Sequence, residues 1–432
     1  MKIVVLAAGE GKRMWPIATD KCLIPFLGKP LLHHNLQQIK ASLQGGFIII
    51  ATPRNKESIE QIAKELKINY QIAIQKEPKG MADALLSAKD LIDGEILVLN
   101  AEDILDEHVY KDVLEEAKKT RAGVLFTGIS FGKYFPGGYL ELDAGKVLRI
   151  VEKPGEGQEP SNIVKLVVDY FKDGKILLDY LQKASGKKDD QYEVALSQMI
   201  EDGMNVRCAN YKGIWIPLKY PWHILDIAKH FLSKIERKID PSVRIAKTAV
   251  IEGPVEIERG TRIFEGAVIK GPVYIGKDCI VGNNSFVRES NLEEGCVTGF
   301  NSDITRSYIG ANSWFHTNYI GDSVLEGDFG MGSGAVLANL RLDNRVVTVG
   351  ADHLDTGRHK LGLIAGKGVR VGVNASTMPG VRVGVGSLVG PGVVLKKDLP
   401  ENKKVTLKEE SYEIKDYETV PTSYDQFRDK LK

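Results

Sequence analysis

The chain has 432 residues, more than one hydrophobic core normally serves, so two or three domains are expected. Its 58 lysines and arginines against 57 aspartates and glutamates leave a net charge of +1, which argues against nucleic acid and against an anionic membrane as partners. Four scattered cysteines without CxxC spacing argue against a disulfide framework and a structural zinc site. The apolar start is too short for a signal-peptide core and no later run approaches a spanning helix, so a cytoplasmic location is expected.

In chain order, short β-branched runs first alternate with helical patterns. "KIVVLAA" (2–8) is followed by the amphipathic "PLLHHNLQQIKASL" (30–43), then "GGFIIIAT" (45–52), "KESIEQIAKELK" (56–67), "YQIAIQ" (70–75), "GMADALLSAKDLI" (80–92) and "EILVLNAED" (95–103). Alternation at this spacing predicts a doubly wound α/β domain over 1–235, with a mostly parallel sheet and ligands beyond the carboxyl ends of its strands.

From about residue 240 the period changes. Ile245, Ile251, Ile257, Ile263, Ile269, Ile275, Val281 and Val287 fall six apart, and the register resumes at Leu325, Met331 and Leu337 and again from Val371 to Leu395. Gly, Asn, Asp and Pro between these anchors turn the chain sharply. A sustained hexapeptide period predicts a parallel β-helix over 236–405, each sixth side chain stacking inward. Residues 406–432 are charged, repeat nothing, and read as a tail.

The first strand runs into "LAAGEGKRM" (6–14), where Gly9 and Gly11 let backbone amides approach a ligand while Lys12 and Arg13 add positive charge; such a loop suits a phosphate. Lys21 follows, then "QKEPKGMADAL" (75–85), the acidic strand end "LVLNAED", and "VEKP" (151–154). That ordered set resembles the sugar nucleotidylyltransferases. With the hexapeptide repeat attached, it resembles their bifunctional branch, uridylyl- or thymidylyltransferases fused to an amino-sugar acetyltransferase. The resemblance implies a nucleoside triphosphate (UTP or dTTP), a sugar 1-phosphate and acetyl-CoA as substrates, Mg²⁺ as cofactor, a left-handed coil, and a homotrimer. It assigns Ala8, Gly9, Gly11 and catalytic Arg13 and Lys21 to the triphosphate, Gln75 and Gly80 to the base, and Gly138, Glu152 and Lys153 to the sugar phosphate.

Several positions depart from that pattern. The first metal aspartate has to be Glu102 or Asp103 of "NAED"; Pro217 stands at the second, with Lys219 beside it as a cation able to take over part of the metal's charge. An expected sugar contact is replaced by "KLV" (165–167), and the approach to Lys21 is shortened to "TDK". Three readings therefore stand: a bifunctional enzyme, an acetyltransferase whose amino-terminal domain binds nucleotide or sugar phosphate without turnover, or a non-catalytic scaffold built on the repeat.

The second half departs less. In "WFHTNYIGDSVLEGDFGMGSGAVLANLRLDN" (314–344) the resemblance makes His316 the base that deprotonates the sugar amine, with Tyr319, Asn339 and Arg288 binding the amino-sugar phosphate. The stretch 359–384 resembles the one that receives the pantetheine arm of acetyl-CoA.

Overall fold

The computed structural model describes residues 1–132, 134–185 and 190–408; most of the expected tail, 409–432, lies outside them. Nine strands of the amino-terminal part form one sheet: β1 (Lys2–Leu6), β2 (Gly46–Ala51), β3 (Tyr70–Ile74), β4 (Ile96–Asn100), β5 (Val124–Ser130), β6 (Gly138–Asp143), β7 (Lys146–Glu152), β8 (Ile163–Phe171) and β9 (Val206–Tyr211), in the spatial order β3-β2-β1-β4-β8-β5-β9-β7-β6. Period-two alternation divides each strand between two cores. Ile3, Val5 and Ala7 face the helices α1 (Leu31–Ser42), α2 (Lys56–Glu65) and α4 (His108–Thr120). Val4, Leu6 and Ala8 face α3 (Met81–Ser87), α5 (Gly174–Lys183) and α6 (Gln191–Glu201).

The sheet is less parallel than the alternation predicts. β3, β2, β1 and β4 run parallel, as do β5 and β9, but β8 lies antiparallel between β4 and β5, and β6 and β7 form a hairpin. After β5 the sequence supplies no helix until α5, and strands without a crossover element between them pair antiparallel. The β6–β7 turn is the two-residue Ala144–Gly145, both with positive φ, the geometry whose twist matches a hairpin.

After α7 (His223–Leu232) the chain enters the repeat region at Lys238–Ile239. Ile251 pairs in parallel with Ile269 and that with Val287, while Ile257 pairs with Ile275: eighteen residues make one turn of three six-residue sides. The ladder residues form one continuous buried core from Val255 to Leu399. At the corners the backbone turns through left-handed conformations. Gly266 (φ 70°) has no Cβ because one would lie 2.2 Å from Oδ1 of Asn284, the corner residue of the next turn. The step shortens to seventeen residues (Ile275 to Leu292) and sixteen (Ile304 to Ile320), which breaks the visible period. Leu337 then pairs with Thr377, forty residues on, because the chain first leaves the coil in an excursion carrying a small hairpin, Thr348–Val349 against Leu354–Asp355, and rejoins it at Ile364–Ala365, which pairs with Val324–Leu325.

The two parts share apolar packing. Phe26, Trp222 and Ile224 from the first bury against Tyr308, Val324 and Leu361 from the second, and Arg358 of the excursion pairs with Asp226 of α7. No helix among the described residues is long and apolar enough to cross a membrane.

Candidate functional site

A cavity of about 480 Å³ opens at the carboxyl ends of β1 and β4, and all twelve amino-terminal residues singled out from the sequence line it: Ala8, Gly9, Gly11, Arg13, Lys21, Gln75, Gly80, Glu102, Asp103, Gly138, Glu152 and Lys153. This is where an α/β sheet ordinarily binds its ligand. Its geometry follows from close packing. Gly11 takes φ 68°, and a Cβ there would rest 3.5 Å from the Lys21 side chain; one on Gly9 would lie 3.1 Å from Glu102 Oε1. The glycine loop therefore sits directly on the Lys21–Glu102 pair. Gln75 is buried, its amide donating to Gly80 O (3.0 Å) and Asp83 Oδ2 (2.9 Å). On the opposite wall, Lys153 holds Glu152 at 2.8 Å and takes φ 47°, a conformation uncommon for lysine that costs energy and clusters at functional positions.

Lys21 Nζ forms an ion pair with Glu102 Oε2, and Asp103 Oδ2 accepts from Trp215 Nε1 at 3.2 Å. Burial raises both carboxyls above their usual range, against the pull of Lys21 on Glu102 and of the Trp215 bond on Asp103. Lys21 acts on both carboxyls, and Lys219 acts on Asp103 as well. Among the described residues no group of three His, Cys, Asp or Glu could cage a metal. Mg²⁺ needs no such cage, since one or two carboxylates and substrate phosphates suffice; Glu102 and Asp103, both on the cavity wall, are oxygen donors of the kind that would fit an ion arriving with a triphosphate.

Pro217 and Lys219 line the same cavity, and Pro217 O accepts a 2.8 Å contact from the ring of His223. The Lys219 ammonium donates to Pro136 O at 2.7 Å and stands 3.6 Å over the Phe135 ring. Burial brings its pKa down to about 7, against the pull of Asp103.

Two charged cavity residues, Lys165 and Glu193, take no role from the sequence, where "KLV" counts only as a lost sugar contact. Lys165 is nearly buried, bonded to Asp169 Oδ2 (2.5 Å), which also accepts from the Tyr192 hydroxyl (2.8 Å), and it lies between the Phe126 and Tyr192 rings. The signal was present: a lysine and an aspartate four apart in the otherwise apolar "IVKLVVDYF" of β8. Glu193, on α6, is raised to about 7 by burial and then by Glu152.

On the β-helix, Arg288, Tyr319 and Asn339 fall on one sheet of consecutive turns. Arg288 pairs with Thr305 and that with Gly321; Phe286 pairs with Asp303 and that with Tyr319. Asn339 donates to Asp322 Oδ2 at 2.5 Å, and Asp322 takes both nitrogens of Arg306 at 2.7 and 2.8 Å. A Cβ on Gly321 would strike Asn339 Nδ2 (2.4 Å) and the Tyr319 hydroxyl (2.7 Å), so glycine lets these two groups converge. The Arg288 Nε and Asp303 Oδ1 atoms are buried with no partner in the protein, polar capacity left open beside that cluster. His316 sits exposed at the corner before Tyr319, its backbone carbonyl held by Ser302 Oγ at 2.5 Å. Trp314 is 55% exposed and Met331 is a buried ladder residue.

The family model for nucleotidyl transferases matches residues 2–218, and that for bacterial transferase hexapeptides (six repeats) matches 254–289. A bifunctional sugar-1-phosphate nucleotidylyltransferase/acetyltransferase of Sulfurisphaera tokodaii is 31% identical over 393 residues, 88% of this chain and 93% of the relative. The chain belongs to this nucleotidyl transferase family. Within the family, the bifunctional protein GlmU of Methanococcus maripaludis is 31% identical over 418 residues, covering 95% of this chain and 98% of its own length. A UTP–glucose-1-phosphate uridylyltransferase, AglF of Haloferax volcanii, is 28% identical over 232 residues, 51% of this chain and 92% of that one. Nucleotidyl transferase domain and hexapeptide repeats thus occur here in the order the motifs predict.

Proposed function

We propose that the chain makes a nucleotide sugar, transferring a nucleotidyl group from UTP or dTTP to a sugar 1-phosphate in the amino-terminal cavity and an acetyl group from acetyl-CoA to an amino-sugar phosphate on the β-helix. The observation that carries the first half is the convergence of all twelve motif residues on one cavity. A sugar phosphate oxygen attacks the α-phosphorus, the bond to the bridging oxygen breaks, and pyrophosphate leaves with the electron pair. There is little covalent chemistry for the protein to do beyond placing two anions and neutralising moving charge. Arg13 and Lys21 serve the triphosphate, Gln75 and Gly80 the base, and Gly138, Glu152 and Lys153 the sugar phosphate. Mg²⁺, held by Glu102 and Asp103, would supply further neutralisation.

For acetyl transfer, His316 takes a proton from the amine, the nitrogen bonds to the acetyl carbon, and the carbon–sulfur bond breaks to release coenzyme A. Arg288, Tyr319 and Asn339 hold the phosphate and the sugar. The exposure of His316 in a single chain supports a homotrimer in which a neighbouring β-helix closes the site.

Pyrophosphate release tests the first half: purified protein with Mg²⁺, UTP or dTTP, and a panel of hexose 1-phosphates should turn over. Lys21→Ala should lower the rate by about 10²-fold or more, as losing one charge-stabilising donor does in other enzymes. Absence of release with every pair would favour the second reading, to which Pro217 and the Lys21–Glu102 ion pair lend support: an acetyltransferase with a ligand-binding amino-terminal domain.

A further inference from the structure

The turn that carries Lys21 is held by the β-helix. Ala18 N (2.8 Å), Thr19 N (2.6 Å) and Thr19 Oγ1 (2.8 Å) all donate to one oxygen of Glu326, three hundred residues further along the chain, and its second oxygen accepts from Lys367 N at 2.8 Å. Asp20 and Lys21 come next and open the short turn Lys21–Leu23. Upstream, the Arg382 guanidinium lies 4.7 Å over the Trp15 ring, and Gly366 packs so tightly that a Cβ there would lie 2.6 Å from Pro16 O. The stretch Trp15–Thr19 that leads into Lys21 is thus seated on the repeat domain at four of its residues, while the far end of the Lys21 side chain is fixed by Glu102 in the cavity.

We infer that Glu326 is a positioning residue for nucleotidyl transfer: it fixes the backbone from which Lys21 reaches the phosphates, so the repeat domain sets the geometry of the other active site. This rests on the proposed role of Lys21. The physical case is that hydrogen bonds to a carboxylate are about twice as strong as neutral ones, and three of them converge within three residues of Lys21. A displacement of about 1 Å at such a group costs on the order of 10²-fold in rate.

Two measurements on the full-length chain test it: steady-state pyrophosphate release, and hydrogen–deuterium exchange of the peptide spanning 15–28, for the wild type, Glu326→Ala and Glu326→Gln. Glu326→Ala should lower kcat by 10- to 100-fold with KM for the triphosphate far less affected, should speed exchange in that peptide, and should leave coenzyme A release from acetyl-CoA unchanged. Glu326→Gln keeps an acceptor oxygen for Ala18 and Thr19 while giving up the bond from Lys367 N, and should recover part of the rate, a rescue that general loss of stability would not give. A wild-type kcat in Glu326→Ala, or unchanged exchange over 15–28, overturns the inference. If the wild type itself released no pyrophosphate, the reading of Lys21 would fall, and the role of Glu326 in positioning it for transfer would fall with it.

Discussion

Lys219 shows how one residue changes the electrostatics of a cavity. It stands among Arg13, Lys153, Glu152 and Asp103, and burial, helped by the like charges of Arg13 and Lys153, brings its pKa down to about 7 against the pull of Asp103 and Glu152. An anion binding there would restore the ammonium, because a nearby negative charge favours the protonated form. Lys219→Met should therefore weaken triphosphate binding about tenfold, the loss of one hydrogen bond to a charged group, read from quenching of Trp215, which lies against the Phe135 ring that Lys219 covers. Equal affinity in the variant would show that Lys219 only plugs the wall. The sequence made Lys219 visible because it stands beside Pro217 in a recognisable segment. Lys165 stayed hidden: "KLV" reads as the loss of a sugar contact, whereas the strand places that lysine in the cavity wall with Asp169 and Tyr192 as partners. Motifs report which residues are missing from a pattern; Asp169, four residues on in the same strand, was there to be read, whereas Tyr192 comes from another element and leaves no such trace.

At the scale of elements, the repeat turn fixes the place of His316. Gly299 occupies the same corner one turn earlier at φ 71°, and a Cβ on it would sit 2.4 Å from the His316 carbonyl oxygen and 2.6 Å from its Cα. These are backbone atoms with little freedom to yield. Gly299→Ala should push the His316 corner outward and cut coenzyme A release from acetyl-CoA and glucosamine 1-phosphate, while leaving pyrophosphate release alone. His316→Ala should lose about 10²- to 10⁴-fold, the usual contribution of a general base. Unaltered acetyl transfer in Gly299→Ala would mean that the corner relaxes; unaltered transfer in His316→Ala would remove the histidine from the reaction. Most of this element could be read in advance, since a period of six fixes which side chains point inward whatever the length of the helix. Its interruptions could not. Turns of seventeen and sixteen residues shift the register without altering composition, and the excursion between Leu337 and Thr377 is held in part by partners outside the repeat, Asp226 among them.

The halves of the molecule meet on a charged group placed where charge is costly. Glu293 of the β-helix is buried beneath the Phe26–Gly28 turn, where it accepts from Gly28 N (3.2 Å) and from Asn291 Nδ2 (2.8 Å), while Asn291 Oδ1 accepts from Leu27 N (3.1 Å). Burial raises its pKa from 4.5 to about 7, the two hydrogen bonds offsetting only part of the cost. A carboxyl raised in the folded state binds its proton more tightly there than in the unfolded chain, so between pH 4.5 and about 7 the folded state holds more protons and stability falls as pH rises. Below that window the group contributes fully; above it the contribution is gone. Glu293→Gln carries an uncharged side chain of the same shape at every pH. It should therefore melt higher than the wild type at pH 8, and the gap should close towards pH 5 in paired thermal scans. A gap independent of pH would place the effect in hydrogen bonding alone and leave Glu293 ionised in the fold. No sequence motif marks Glu293, because its burial arises only when the turn at 26–28 comes down upon it from the other end of the chain. The same docking that hides Glu293 seats the Lys21 turn on Glu326, two turns further along the same side of the coil, so loosening one contact at high pH should also speed exchange in the other.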